Sequence, residues 1–202
     1  LDFYNAEGYP VPSVLEYLMT LLNSNFEDWR LANPTAPMGD FQFTTKKMGN
    51  SGSLFDIDKL KDVSKNTISV MSADQVYDEV TAWAKDFDPQ LYTLLTADEQ
   101  KAKAIFAIGR GGAKPRKDIA IWSEVKDYVA FFYEELFTAA SEYPENVSTQ
   151  DARDILTQYR SLYSPADDGE TWFNKVRELG ESLGFAAKPK DYKKNPCLLY
   201  TS

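Results

Sequence analysis

Residues 72–109, SADQVYDEVTAWAKDFDPQLYTLLTADEQKAKAIFAIG, carry the pattern that decides the fold. Val76, Val80, Trp83 and Phe87 recur at three- and four-residue steps, the spacing of one face of an α-helix, and Ser72 stands where an N-cap belongs. Asp88-Pro89 opens a second, short helix through Leu94, because proline suits the first helical position, where no amide donor is needed. Thr96-Ala97-Asp98-Glu99 then fits a capping box leading into Ala102, Ile105, Phe106 and Ile108. The glycines at 109, 111 and 112 end this third helix, and Pro115 keeps the following loop open.

The same period extends in both directions. Leu15, Leu18, Leu22, Phe26 and Trp29 predict a helix from about Ser13 to Ala32, stopped by Asn33-Pro34 through Asp40. Before it, LDFYNAEGYP reads as the end of one element and a turn, as in a piece cut from something longer. Residues 41–54 have no helical period and read as a loop with a short extended piece at 41–45. Asp56 and Asp58 precede Leu60, Val63, Thr67 and Val70, so acids meet the positive end of another helix. Ile121, Trp122, Val125, Tyr128, Val129, Phe132, Tyr133 and Leu136 form the widest apolar stripe and predict a core helix from about Asp118 to Ala140. Two more helices are expected, Ser148 to Tyr163 and Asp168 to Leu183, the last closed by Gly184 in a left-handed cap. Seven or eight helices and no strand make the expected class all-α, packed as a helical array or bundle.

Composition removes several kinds of chemistry. The 202 residues contain no histidine and one cysteine. That excludes Ser-His-Asp and Cys-His nucleophile activation, His-ligated zinc, a thiolate metal cage and an internal disulfide. No apolar run is long enough to span a bilayer and no leader pattern opens the sequence, so the expectation is a cytoplasmic protein with no membrane partner. The acid pairs Asp56/Asp58, Asp86/Asp88, Asp167/Asp168 and Glu134/Glu135 read as helix caps and solvated faces rather than general acids. The expectation is no catalytic residue and no metal site.

Charge is unevenly distributed. The net charge is −9, yet residues 1–100 carry 7 Lys and Arg against 16 Asp and Glu, while residues 101–202 carry 15 of each. Residues 101–117 hold six cations (Lys101, Lys103, Arg110, Lys114, Arg116 and Lys117) and no acid. The segment GRGGAKPRK lacks the spacing of a phosphate-binding P-loop and no strand precedes it. Two readings stand on composition alone. One is a flexible cationic loop whose Arg110, Lys114, Arg116 and Lys117 contact a phosphate backbone; the other is a solvated loop whose cations offset neighbouring acids. Lys46 and Lys47, beside Phe43, form a second small basic spot. Trp29, Trp83, Trp122 and Trp172 fall on apolar helical faces and are expected in the core. Lys188, Lys190, Lys193 and Lys194 make a third cationic stretch. The closing hexapeptide CLLYTS, residues 197–202, resembles the translation of a sequencing-library adapter and is expected to be non-native, leaving Cys197 without a function.

The order and spacing of several short runs resemble one family. Gly8-Tyr9-Pro10, Val14-Leu15-Glu16-Tyr17-Leu18, Asn25-Phe26-Glu27-Asp28-Trp29, Ser53-Leu54-Phe55-Asp56-Ile57-Asp58-Lys59-Leu60 and Val63-Ser64-Lys65-Asn66 look like bacterial glutamyl-tRNA synthetase just downstream of its catalytic domain. Ala104-Ile105-Phe106, Gly109-Arg110-Gly111-Gly112, Lys114-Pro115-Arg116-Lys117-Asp118-Ile119 and Trp122-Ser123-Glu124-Val125 continue the likeness to about Pro196. The resemblance implies a parent that uses ATP and Mg²⁺ to attach glutamate to tRNA. The HIGH-type and KMSKS-type signatures of its Rossmann-like domain are absent from this sequence, so no cofactor is expected here. It also implies a helical stem-contact region at 1–71 and an incomplete helical anticodon-binding region at 72–196. The implied partners are tRNA, through Arg110, Lys114, Arg116, Lys117, Lys46 and Lys47, and the parent's own upstream catalytic domain. The alternative from another class is a helical protein–protein interaction module with no nucleic-acid role.

Overall fold

A computed structural model of the chain describes residues 2–48, 54–139 and 148–185. Among these, ten α-helices and four short 3-10 turns are present and no strand, so the class is all-α. The tail at 197–202 and Lys188, Lys190, Lys193 and Lys194 lie outside the described residues. The chain divides into two compact units, Leu1–Thr138 and Ala139–Ser202.

The first unit is built around α5 (Ala73–Phe87), α6 (Pro89–Ala97) and α7 (Glu99–Ala107). Ser72 caps α5 as expected, its side chain accepting from the Gln75 amide while Gln75 accepts from the Ser72 amide. Asp88 caps α6 through the Leu91 amide, with Pro89 at the first position. At α7 the capping box is displaced. Asp98 rather than Thr96 holds the cap, accepting from the Lys101 amide, because Thr96 is still inside α6 and donates to the Tyr92 carbonyl. Val76, Val80, Ala84, Leu91, Leu95, Ala102 and Phe106 are fully buried. Together with Ile68, Ile105, Val125 and Val129 they form the main core. Each large side chain so buried contributes about 1.5–3 kcal/mol before ordering entropy is set against it.

A smaller cluster, Tyr9, Tyr17, Leu60 and Ile121, lies among α1 (Asp2–Glu7), α2 (Val11–Leu22) and α4 (Ile57–Val70). Asp56 caps α4 through the amides of Asp58 and Lys59. The helix expected over 13–32 is two helices, α2 and α3 (Phe26–Ala32). They part at Asn23, whose backbone is extended, so that the Ser24 amide donates to the Lys47 carbonyl while the fully buried Asn23 side chain donates to the Thr44 carbonyl. The expected apolar face of α2 is also turned. Leu15, Leu18 and Leu22 are exposed, while Ser13 and Tyr17 face inward. Polar partners set this orientation: the Ser13 hydroxyl lies 3.1 Å from that of Ser64, and the Tyr17 hydroxyl accepts from the Asp56 amide. The extended piece expected at 41–45 is irregular backbone between two 3-10 turns, Met38–Asp40 and Thr45–Lys47.

The long helix expected over 118–140 does not form. The segment is irregular up to Ile121, whose own backbone is extended, then passes through a 3-10 turn (Trp122–Glu124), the short α8 (Val125–Val129) and another 3-10 turn (Ala130–Phe132). Its backbone is used elsewhere: the Ala120 carbonyl accepts from Ser64, the Ala120 amide donates to the Glu124 side chain, and the Trp122 amide donates to the Gly8 carbonyl. The burial expectation nevertheless holds for Ile121, Trp122, Val125, Val129 and Tyr133, and fails at Phe132, which is 42% exposed.

The second unit contains α9 (Thr149–Leu162), capped by Ser148, and α10 (Gly169–Ser182), capped by Asp168. Gly184 follows at φ +84°, the left-handed position expected of it. Among its described residues, Ala152 and Leu179 are the buried apolar ones. Trp172, expected in the core, is instead 38% exposed and donates its indole N–H to the Tyr159 hydroxyl at 2.9 Å.

Candidate nucleic-acid interface

The cationic segment follows α7 as a loop over residues 108–119 and is fastened at its base. Gly109 has φ +70°, which favours a residue without a side chain. Its carbonyl accepts from the Arg116 amide at 3.1 Å. The Arg116 side chain crosses it so closely that a Cβ on Gly109 would lie 2.5 Å from Arg116 Cδ. Arg116 Nε donates to Asp118 at 2.5 Å while the side chain stays 61% exposed, so its outer N–H groups face water. The Asp118 carboxylate accordingly holds the Arg116 guanidinium above its usual proton affinity.

Arg110 behaves differently. It is half-buried, and Nη1 donates to the carbonyls of Ile68 at 2.6 Å and Met71 at 3.4 Å. Burial lowers its pKa from the usual arginine value, but arginine remains charged throughout the physiological range.

The other cations divide as well. Lys103 lies between Asp74 at 2.8 Å and Glu99 at 2.7 Å, which together push its pKa up and hold its ammonium charged. Those two carboxylates cancel its charge at a distance. Lys101 covers the Tyr133 ring at 4.3 Å. Lys114 and Lys117 are exposed, and among the described residues neither meets a carboxylate. The surface that the six cations of 101–117 offer a polyanion therefore reduces to Lys114, Lys117 and the outer edge of Arg116, with Lys101 in the first turn of α7.

Lys46 and Lys47 sit in the Thr45–Lys47 turn, where Thr44 accepts from the Lys46 amide. The turn hangs from the end of α2, through Asn23 and through the Ser24 amide, which donates to the Lys47 carbonyl. Both lysines are exposed. The two basic loops thus hang from different helices, one from the end of α2 and the other from the end of α4.

Sequence reasoning missed Arg30. It forms a two-pronged pair with Glu16 at 2.6 and 3.0 Å, donates to the carbonyls of Asn33 and Ala36, and covers Trp29 at 4.8 Å. Each of its three guanidinium nitrogens donates internally, so Arg30 fastens α3 to α2. Only the cation following Trp29 in sequence hinted at it. Three of the four acid pairs supply fasteners, while Glu134 and Glu135 are exposed. Asp56 and Asp168 are caps, Asp88 caps α6 and pairs with Lys126, and Asp167 pairs with Lys175 at 2.7 Å.

Among the described residues no helix is long and apolar enough to cross a membrane. No family model matches the chain. No solved structure matches it either. Curated relatives do. The chain is 42% identical over 196 residues to a glutamate–tRNA ligase of Acetivibrio thermocellus, 43% over 201 residues to one of Clostridium beijerinckii, and 38% over 198 residues to one of Sorangium cellulosum. Each match covers 97% of this chain and 35–36% of the relative. The likeness is to aminoacyl-tRNA ligases. Within that class the chain is homologous to a portion of the glutamate–tRNA ligases, spanning about 36% of their length.

Proposed function

We propose that this chain is the tRNA-binding portion of a glutamate–tRNA ligase. The observation that carries the reading is identity of about 40% to proteins of that name along 97% of the chain. In this reading, the ATP- and Mg²⁺-dependent joining of glutamate to tRNA belongs to a longer cytoplasmic protein. ATP and Mg²⁺ are bound there by a catalytic domain outside these 202 residues, and that domain is the chain's protein partner. Residues 1–71 form the stem-contact region, and residues from 72 onward form part of the anticodon-binding region.

The chain's own contribution is electrostatic. A tRNA phosphate backbone is attracted by unpaired cations with little regard to sequence. Lys114, Lys117 and the outer N–H groups of Arg116 are the phosphate contacts, and Lys46 and Lys47 are a second, smaller set. The closed base of the 109–117 loop favours binding, because residues already ordered lose less entropy on contact. Residues 101–117 contain no acid, so the loop can attract a polyanion despite the net charge of −9.

A gel-shift assay of the purified chain with total tRNA tests the proposal. A retarded complex that dissociates as salt rises is the expected outcome, together with no glutamylation of tRNA by the chain alone. Absence of a complex at low salt refutes it.

A further inference from the structure

Arg110 is the cation in the loop whose guanidinium points into the protein. The carbonyls it meets belong to the C-terminal end of α4 and the residue after it, where a helix runs out of internal donors and carries partial negative charge. Ile68 is itself a buried member of the main core, and the Met71 carbonyl directly precedes the Ser72 cap of α5. Arg110 thus caps α4 from 42 residues away and ties the loop to the corner between α4 and α5. The second tie, Arg116 folded over Gly109 and bonded to Asp118, lies only six residues further on. Between them run Gly111, Gly112, Ala113, Lys114 and Pro115, and Lys117 follows the second tie.

We infer that Arg110 is a positioning residue for tRNA binding: it fixes the base of the 109–117 loop on α4, so that Lys114 and Lys117 are presented to phosphate, and it does not itself touch the nucleic acid. This rests on the tRNA-binding reading above and gives Arg110 a role different from that of its neighbours. A direct phosphate contact releases counterions, so its loss flattens the salt dependence of binding. A positioning residue lowers affinity while leaving the number of released counterions unchanged. Lysine keeps the charge but lacks the planar fork that suits a pair of carbonyls, so it separates the two roles.

The experiment uses the full chain and three variants, Arg110→Gln, Arg110→Lys and Lys117→Gln. Binding to total tRNA is measured across a salt series, and hydrogen exchange is followed at the Arg116 amide, which the Gly109 carbonyl protects. Lys117→Gln is expected to flatten the slope of log K against log salt by about 0.7–0.9 without altering exchange. Arg110→Gln and Arg110→Lys are expected to speed exchange at Arg116 and to weaken tRNA binding several-fold, with the wild-type slope retained. The inference is overturned if Arg110→Gln flattens the slope as Lys117→Gln does and Arg110→Lys restores it. It is also overturned if exchange at Arg116 is unchanged in both Arg110 variants. The exchange measurement stands even if the wild-type chain binds no tRNA, so failure of the anchor and failure of the tRNA reading are told apart. Should Arg110→Gln not fold, Arg110→Lys carries both measurements.

Discussion

Residues 72–107 and residues 108–132 adjoin in sequence and contribute to one core, yet they are held by different forces. In α5, α6 and α7 nearly every backbone bond is local, each helix has a side-chain cap, and the interior is filled by side chains such as Val80, Leu91 and Phe106 with no exposure. From Ile108 onward the chain depends on bonds to remote partners: Arg110 to Ile68, Ala120 to Ser64, Trp122 to Gly8. The first stretch is robust because its stability is spread over many apolar contacts. The second concentrates its stability in a few polar contacts, which suits a segment that must hold a charged loop in one place.

That difference can be challenged by substitution. The largest effect is expected in the helical core, where Phe106→Ala removes a fully buried ring and should destabilise by about 3–5 kcal/mol in a denaturant titration. Next is Gly8→Ala. Gly8 has φ +79°, and an added Cβ would lie 2.6 Å from Trp122 Cβ and 2.9 Å from the Trp122 amide that Gly8 binds. A loss of about 2–3 kcal/mol is expected from the strain and the displaced bond. Ser64→Ala leaves the buried Ala120 carbonyl and the Ser13 hydroxyl short of a partner and should cost about 1–3 kcal/mol, with faster exchange at 118–122 than in α5. If Ser64→Ala proves neutral, the contrast between the two stretches fails.

The smallest effect concerns pH. Asp168 caps α10 by accepting from the Thr171 amide, which lowers its pKa. A carboxyl depressed on folding contributes stability above its unfolded pKa of about 3.9 and loses it as pH falls through the lower folded value. Circular dichroism of the chain at decreasing pH should therefore show a slight additional loss of helix below about pH 4, absent in Asp168→Asn.

Legibility in the sequence follows the same line. Ser72, Asp88, Asp56, Ser148 and Asp168 act within three residues of their own helix starts, so spacing alone reveals them. The stripe from Ile121 to Leu136 correctly marks most of the buried residues but not their backbone path, because apolar spacing does not record that Ala120 and Trp122 bond to Ser64 and Gly8 far away in sequence. The break at Asn23 and the turned face of α2 are hidden for the same reason. The candidate site was partly legible. The cluster of cations is plain in the sequence, but the presence of Asp74 and Glu99 around Lys103, and of the Ile68 carbonyl at Arg110, is a property of the folded chain.

The most direct test of the account is the salt dependence of tRNA binding by the chain and by its Lys114→Glu/Lys117→Glu variant. The account predicts a complex in the unaltered chain, and in the variant a weaker complex whose slope of log K against log salt is shallower by about 1.4–1.8, as for two lost phosphate contacts. The same affinity and slope in both proteins would contradict it.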